Sequence, residues 1–169
     1  MGCIEMKQKK VYLMSGLPGS GKSTFIYKYR KLTDAVISRD AVRFSIVKED
    51  EEYFAKENYV FKVFIKEINK ALEDEKVERV FIDATHLNPK ARYKVTHKLN
   101  KENIDEINVI YFNVPIDECI HRNNLRTGRA VVPETAIKNM MKSYLYPTKL
   151  EGFNHIYKVN EEGEVVEEV

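Results

Sequence analysis

Gly16, Gly19 and Gly21 run directly into Lys22, Ser23 and Thr24 within the stretch VYLMSGLPGSGKST, Val11 to Thr24. The spacing satisfies G-x-x-x-x-G-K-[ST] in full. Glycines reach backbone angles closed to other residues, so successive N–H groups turn into one concavity. A helix beginning at this point adds its unpaired N–H groups and the positive end of its dipole. Such a loop suits the phosphates of a nucleotide. Gly16, Gly19, Ser20, Gly21, Lys22, Ser23 and Thr24 are therefore candidate ATP-binding residues. Lys22 is placed to reach the β- and γ-phosphates, and the Ser23 hydroxyl to ligate Mg²⁺. The flanks agree. Val11 to Met14 is an unbroken apolar run, as in a strand buried on both faces, and Phe25, Ile26, Tyr29 and Leu32 follow at helical spacing.

Two more apolar runs end on polar residues. Asp34 to Ser38 reads as a short strand followed by Arg39-Asp40-Ala41-Val42-Arg43, which opens a helix. Val80-Phe81-Ile82 ends on Asp83. Asp83 is the candidate second Mg²⁺ ligand, direct or through water; its plain alternative is a turn cap. Thr85 offers a hydroxyl nearby. Asp40 is either an ordinary N-cap or a carboxylate that accepts the proton of an alcohol undergoing phosphoryl transfer. Arg43, three residues on, faces the same way on a helix and is a candidate for holding a phosphate of the acceptor beside Arg39. Arg122 and Arg126, four apart, share a helix face, and with Arg129 they flank Gly128. They complement a helix C-terminus, or they form a lid whose guanidinium forks grip donor phosphates.

The elements that must position these groups alternate. Glu49 to Lys76 is a helical region with Phe54, Phe61, Phe64, Ile65, Ile68 and Leu72 on one face, an aromatic stripe read as core rather than as a base-stacking platform. Pro89 opens a helix to about Asn100. Ile107 to Val114 is a strand, Pro115 to Arg126 a helix, Pro133 to Leu145 a helix stopped by Pro147, and His155 to Val159 a last strand. Strands alternating with helices predict a parallel sheet covered on both faces, an α/β fold. Ligands of such sheets bind at the carboxyl ends of the strands, so the loop, Arg39-Asp40 and Asp83 are expected to line one crevice.

At 169 residues one domain, 1–169, is expected. The last nine residues, 161–169, form an acidic tail with five Glu, leaving 21 of the 26 acidic residues against all 28 basic ones, a net of +7 on residues 1–160. That balance suits a polyanionic ligand. No apolar run approaches the ~20 residues of a membrane span, so no membrane partner is expected. The opening MGCIEMKQKK lacks a signal-peptide core, and Met6 breaks the myristoylation pattern. With Cys3 and Cys119 isolated, a reducing cytoplasm is the expected location. His86, His97, His121 and His155 have no metal-ligand spacing. No [NT]-K-x-D follows the loop, and Asp83 neither begins D-x-x-G nor is followed by Glu, which argues against a GTPase or an AAA+ motor and for a small kinase.

The set GLPGSGKST, SRDAVR, FIDATHLNPKAR and RNNLRTGRAVVPE, in that order, resembles the polynucleotide 5′-hydroxyl kinase domain of phage and bacterial RNA-repair enzymes from about Lys10 to Tyr146. The resemblance implies a three-layer α/β/α P-loop kinase with strand order 2-3-1-4-5. It implies ATP and Mg²⁺ as cofactors and a nucleic acid 5′-end as substrate. Asp40 then acts as general base, Arg43 contacts the acceptor's phosphate, and Arg122 and Arg126 grip the donor. His86 departs from the neutral polar residue common in that family's element. Two other functions stay open: a kinase of a small alcohol such as a nucleoside, sugar or antibiotic, which does not need Arg43 on an acceptor phosphate, and a nucleotide-binding regulator, which has no use for Asp40.

Overall fold

Val11 and Leu13 point to one side of a strand and Met14 to the other, and all three are fully buried. A strand covered on both faces must be central. The computed structural model describes residues 8–169, and in it this strand, β1 (Lys9–Ser15), is third in a six-stranded sheet. The readings of Met1 to Lys7, Cys3 included, lie outside the described residues. The other strands are β2 (Asp34–Ser38), β3 (Arg79–Asp83), β4 (Ile104–Phe112), β5 (Ile156–Val159) and β6 (Val165–Glu168), in the spatial order 2-3-1-4-5-6. The first five run parallel in the expected order.

Helices cover both faces. Helix α3 (Glu57–Glu73) and helix α4 (Pro89–Thr96) close one side: Phe61, Phe64, Ile68, Leu72, Val95 and Leu99 pack on Val11, Leu13, Val80 and Ile82. Helix α1 (Lys22–Tyr29) and helix α5 (Ile116–Asn124) close the other, with Phe25, Ile26 and Cys119 on Met14, Phe81, Ile110 and Phe112. Helix α6 (Glu134–Ser143) adds Met140 to that side. The short α2 (Arg39–Ile46) lies against α3. No helix among the described residues is long and apolar enough to cross a membrane.

Three expectations change. The helical region beginning at Glu49 starts only at Glu57, after turns closed by Lys48 and Glu52 carbonyls. Phe54 therefore leaves the core stripe and stands 57% exposed, while the stripe from Phe61 to Leu72 holds. The helix from Pro89 ends at Thr96: the Lys98 and Leu99 N–H groups donate to the Val95 and Thr96 carbonyls, three residues back, and Asn69 takes the Asn100 N–H just beyond. Finally, the acidic tail is not a loose extension. Asn160 Oδ1 accepts from the N–H groups of Glu162 and Glu164, an Asx-type turn with Gly163 at φ +78°, and β6 returns antiparallel along β5.

Candidate active site

The loop after β1 is shaped by two left-handed glycines. Gly19 has φ +80°, and a Cβ there would lie 2.2 Å from the carbonyl oxygen of Cys119 on α5. Gly21, φ +96°, stands at the N-cap of α1 with no side-chain cap, so the first N–H groups of the helix face the loop's hollow. The Gly16 N–H donates to the Thr85 carbonyl at 2.9 Å and ties the loop to the turn after β3. Thus Thr85 contributes its backbone, and its half-buried hydroxyl has no described partner. Ser20 is buried with Oγ unbonded among the described residues, and Thr24 is exposed on α1.

Lys22 curls back over the loop, its Nζ donating to the carbonyls of Gly16 (3.0 Å) and Leu17 (2.8 Å). Burial lowers its pKa; the Asp83 charge works against that, and the Arg126 charge adds to it. Next in line, Ser23 Oγ donates to Asp83 Oδ2 at 2.7 Å. Two hard oxygens therefore meet at the end of β3, beside the ammonium of Lys22. The structure thus brings Lys22, Ser23 and Asp83 together at the end of β3.

Ser38 pairs with Asp83 across β2 and β3, which levels the carboxyl ends of these strands. Ser38 caps α2, its Oγ accepting from Ala41 N, so Asp40 is not the N-cap. Instead Asp40 Oδ1 accepts from Tyr53 OH and from Arg43 Nη1. Arg43 is not open to solvent: its side chain is 5% exposed, and Nη2 donates to both Glu57 oxygens, at 2.9 and 3.2 Å. The Tyr53 ring lies 4.3 Å from its guanidinium. Arg39 also binds Glu57 and rests over the rings of Phe61 and Phe64. Burial opposes ionisation of Glu57, yet the Arg43 hydrogen bonds and both guanidinium charges hold its carboxyl below the usual range. Burial also raises the Tyr53 phenol, and Asp40 raises it further, so it stays a donor.

Arg122 and Arg126 separate where a shared helix face was expected. Helix α5 ends at Asn124, and Arg126 lies beyond it, exposed, with Nη1 3.5 Å from the Ala130 carbonyl. Arg122 stays in the last turn, clipped by Glu118 (2.7 Å) and by the Glu161 carbonyl (2.7 Å). Its Nη1 is 3.6 Å from the point where a Cβ on Gly21 would sit, so it borders the loop. Arg129 turns the other way, donating to the carbonyls of Phe44 and Val47 at the C-terminal end of α2. Beside the Glu161 contact is a cavity of about 330 Å³ lined in part by Asn113, Pro115, Tyr144, Tyr146 and Asn160.

Sequence reasoning missed Tyr53, Glu57 and His86. An acid in the first turn of a helix reads as a dipole partner, and nothing in the sequence brings Glu57 to Arg39 and Arg43. His86, noted in the sequence only for lacking metal-ligand spacing and for departing from the family's element, is 3% exposed and has φ +40°, the only positive φ of a non-glycine among the described residues. Its Nδ1 bonds the Met14 carbonyl at 2.5 Å, which leaves Nε2 as a buried acceptor without a partner. Burial pushes its pKa down to about 3, helped by the charges of Arg39, Lys22 and Arg92. The His86 carbonyl in turn receives Ser15 Oγ and the fully buried Arg92, which Glu151 holds through two bonds of 2.7 and 3.1 Å.

A family model described as an AAA domain matches residues 11–147. Solved structures share the fold. A chain of the Pnkp1/Rnl/Hen1 RNA repair complex is 21% identical with a TM-score of 0.65, covering 81% of this chain and 44% of its own length. A fungal RNA kinase is 16% identical with a TM-score of 0.66, covering 96% of this chain and 76% of its own. A gluconokinase from Sinorhizobium meliloti is 15% identical with a TM-score of 0.56, covering 91% and 83%. The present chain spans less than half the length of the Pnkp1-complex chains it matches, 41% and 44%.

Proposed function

The chain belongs to the AAA domain family whose model covers residues 11–147, and on that premise we propose that it is an ATP- and Mg²⁺-dependent kinase of the 5′-hydroxyl of RNA or DNA. One observation carries the reading. Three neighbouring strands, β2, β3 and β1, deliver a carboxylate at Asp40, a carboxylate at Asp83 and the phosphate loop to one end of the sheet. Strands lie about 4.8 Å apart, so Asp40 stands two strands, roughly 10 Å, from the loop's strand. A transferring phosphoryl group and an attacking hydroxyl fit between. Ala84, not an acid, follows Asp83, which separates this site from that of a ring-forming ATPase.

The residues divide the work. The N–H groups of the loop and of the first turn of α1 hold the donor phosphates. Lys22 exchanges the Gly16 and Leu17 carbonyls for β- and γ-oxygens. Ser23 and Asp83 fit Mg²⁺, which takes one or two protein oxygens and completes its shell with phosphate and water; when bound, the ion neutralises charge on the phosphate oxygens. Arg122 and Arg126 add charge on the donor side, and the cavity beside Glu161 takes the donor's base. Asp40 removes the proton of the acceptor hydroxyl as its oxygen bonds to the γ-phosphorus and the bond to ADP breaks. As Asp40 turns to that hydroxyl, Arg43 Nη1 is released toward the phosphate 3′ of the acceptor sugar, while Glu57 keeps Nη2 fixed.

A second reading, transfer to a small alcohol, is supported by a different observation. Arg43 is already bound by two carboxylates, as a purely structural arginine would be, and a gluconokinase shares the fold. Transfer from γ-labelled ATP to matched acceptors separates the two. A polynucleotide kinase prefers a nucleoside 3′-monophosphate to the plain nucleoside by about ten- to a hundredfold in kcat/KM, the worth of a charge-assisted contact of about 1.5–3 kcal/mol, and Arg43→Ala erases the preference. Equal rates on both, unmoved by Arg43→Ala, decide for the small alcohol.

A further inference from the structure

The ring of Phe61 lies between two cations. The Arg39 guanidinium is 5.2 Å from its centroid and Lys94 Nζ is 4.3 Å from it. Arg39 shares Glu57 with Arg43, so this ring stands where the network around Asp40 ends. From there a groove of about 350 Å³ runs between α3 and α4, lined by Asn58, Phe61, Lys62, Ile65, Lys94 and Lys98. Its wall carries three ammonium groups and no carboxylate. Lys62, Lys94 and Lys98 are exposed, and none forms an ion pair with a described residue.

A cationic rim over an apolar floor matches a ligand with charge repeated along its length. Single-stranded nucleic acid has that chemistry: its successive phosphates track a positively charged groove. A sugar or an antibiotic alcohol has no repeating charge to lay along the groove. The lengths agree too. Asn58 to Ile65 is seven residue steps of α3, about 10 Å of helix axis, close to three stacked nucleotides at about 3.4 Å each. We propose that this groove holds the strand 3′ of the reacting nucleotide, about three nucleotides of it, with Lys62, Lys94 and Lys98 on the phosphates. The proposal rests on the reading of the chain as a 5′-kinase and extends it from one nucleotide to a strand.

Two measurements test it, and one does not depend on turnover. The first is anisotropy of a 3′-labelled, 5′-hydroxyl hexanucleotide titrated with the wild type and with Lys62→Gln/Lys94→Gln/Lys98→Gln over a salt series. The triple variant should bind at least tenfold more weakly at low salt. Its log–log salt dependence should be shallower by about 2, at ~0.7 per phosphate contact on a single strand. The second is steady-state transfer: the variant's KM should rise for the hexanucleotide, with KM and kcat for a nucleoside 3′-monophosphate unchanged. Hexanucleotide binding of equal strength and equal salt slope in both proteins overturns the groove, even if both acceptors are phosphorylated. Lysine-dependent binding of the hexanucleotide without transfer to it supports the groove and overturns the kinase's acceptor instead.

Discussion

Replacing Asp40 by Asn removes the proton acceptor and the charge paired with Arg43 but keeps the geometry, because the Asn Oδ1 still accepts from Tyr53 and Arg43, and Glu57 still holds Arg43. ATP–Mg²⁺ affinity should stay near normal while the transfer rate falls by about 10²–10⁴-fold; a single-turnover assay beside a nucleotide-binding titration checks both. His86 carries a stability prediction. In the fold it stays neutral down to about pH 3, whereas its ordinary pKa is 6.5. The unfolded chain therefore binds the extra proton between those values, and stability falls as pH drops below 6.5, with a limiting slope of about 1.4 kcal/mol per pH unit. Asn tolerates the positive φ and does not titrate. Urea midpoints at pH 7.5 and 5 should show the wild type losing about 2 kcal/mol more than His86→Asn; parallel losses refute the assignment. At this scale, what was legible was what the chain keeps local or places just after a strand. Lys22 and Ser23 follow from one motif and Asp83 from the strand it ends. Glu57 and Tyr53 reach Asp40 and Arg43 only through the packing of α3 on α2, and a backbone angle such as that of His86 has no sequence signature when the residue is not glycine.

Elements, by contrast, were readable wherever apolar period and capping agreed. β2 begins and ends at the residues the sequence indicates, and α2 follows without a break. The end of α4 was not legible, because its last bonds tighten to three-residue turns and Asn69, from α3, holds the Asn100 N–H just beyond. The contact of the loop with α5 is another case of long-range control. Gly19→Ala would drive a methyl against the Cys119 carbonyl and hold a left-handed angle at the same time. Strain of this kind costs about 1–3 kcal/mol, so its melting midpoint should drop by at least about 2 °C, with nucleotide affinity falling as α5 is displaced. Gly128→Ala, at φ +60° with nothing within 4 Å of the new Cβ, carries the backbone strain alone and is the control. Equal losses in the two variants would dismiss the collision.

For the molecule as a whole, the parallel sheet was legible in the alternation of elements and the order of its first five strands only through the family resemblance; the sixth strand was not legible, because Val165-Val166-Glu167-Glu168 has no buried face to impose a period, all four residues being exposed. β6 owes its place to backbone pairing and to the Asn160 turn. Without residues 161–169, β5 becomes a bare edge whose N–H and C=O groups invite another chain. The shortened protein should associate in a concentration-dependent way by light scattering while the full chain does not. Folding the acidic segment onto this edge also sorts charge across the protein. Glu161, Glu162, Glu164, Glu167 and Glu168 gather at the β6 end, although Lys158 and His155 answer two of them. The groove lysines stand beside α3, the helix that packs on β2 and β3, on the side of the sheet away from β6. The acidic β6 edge and the lysine-lined groove are thus two separate patches of opposite sign. A polyanion is repelled by the first patch and drawn to the second, which biases its orientation as it approaches. Because the Debye length is about 10 Å at 0.1 M salt, that orientation operates at a distance in dilute salt and only at contact in the cell.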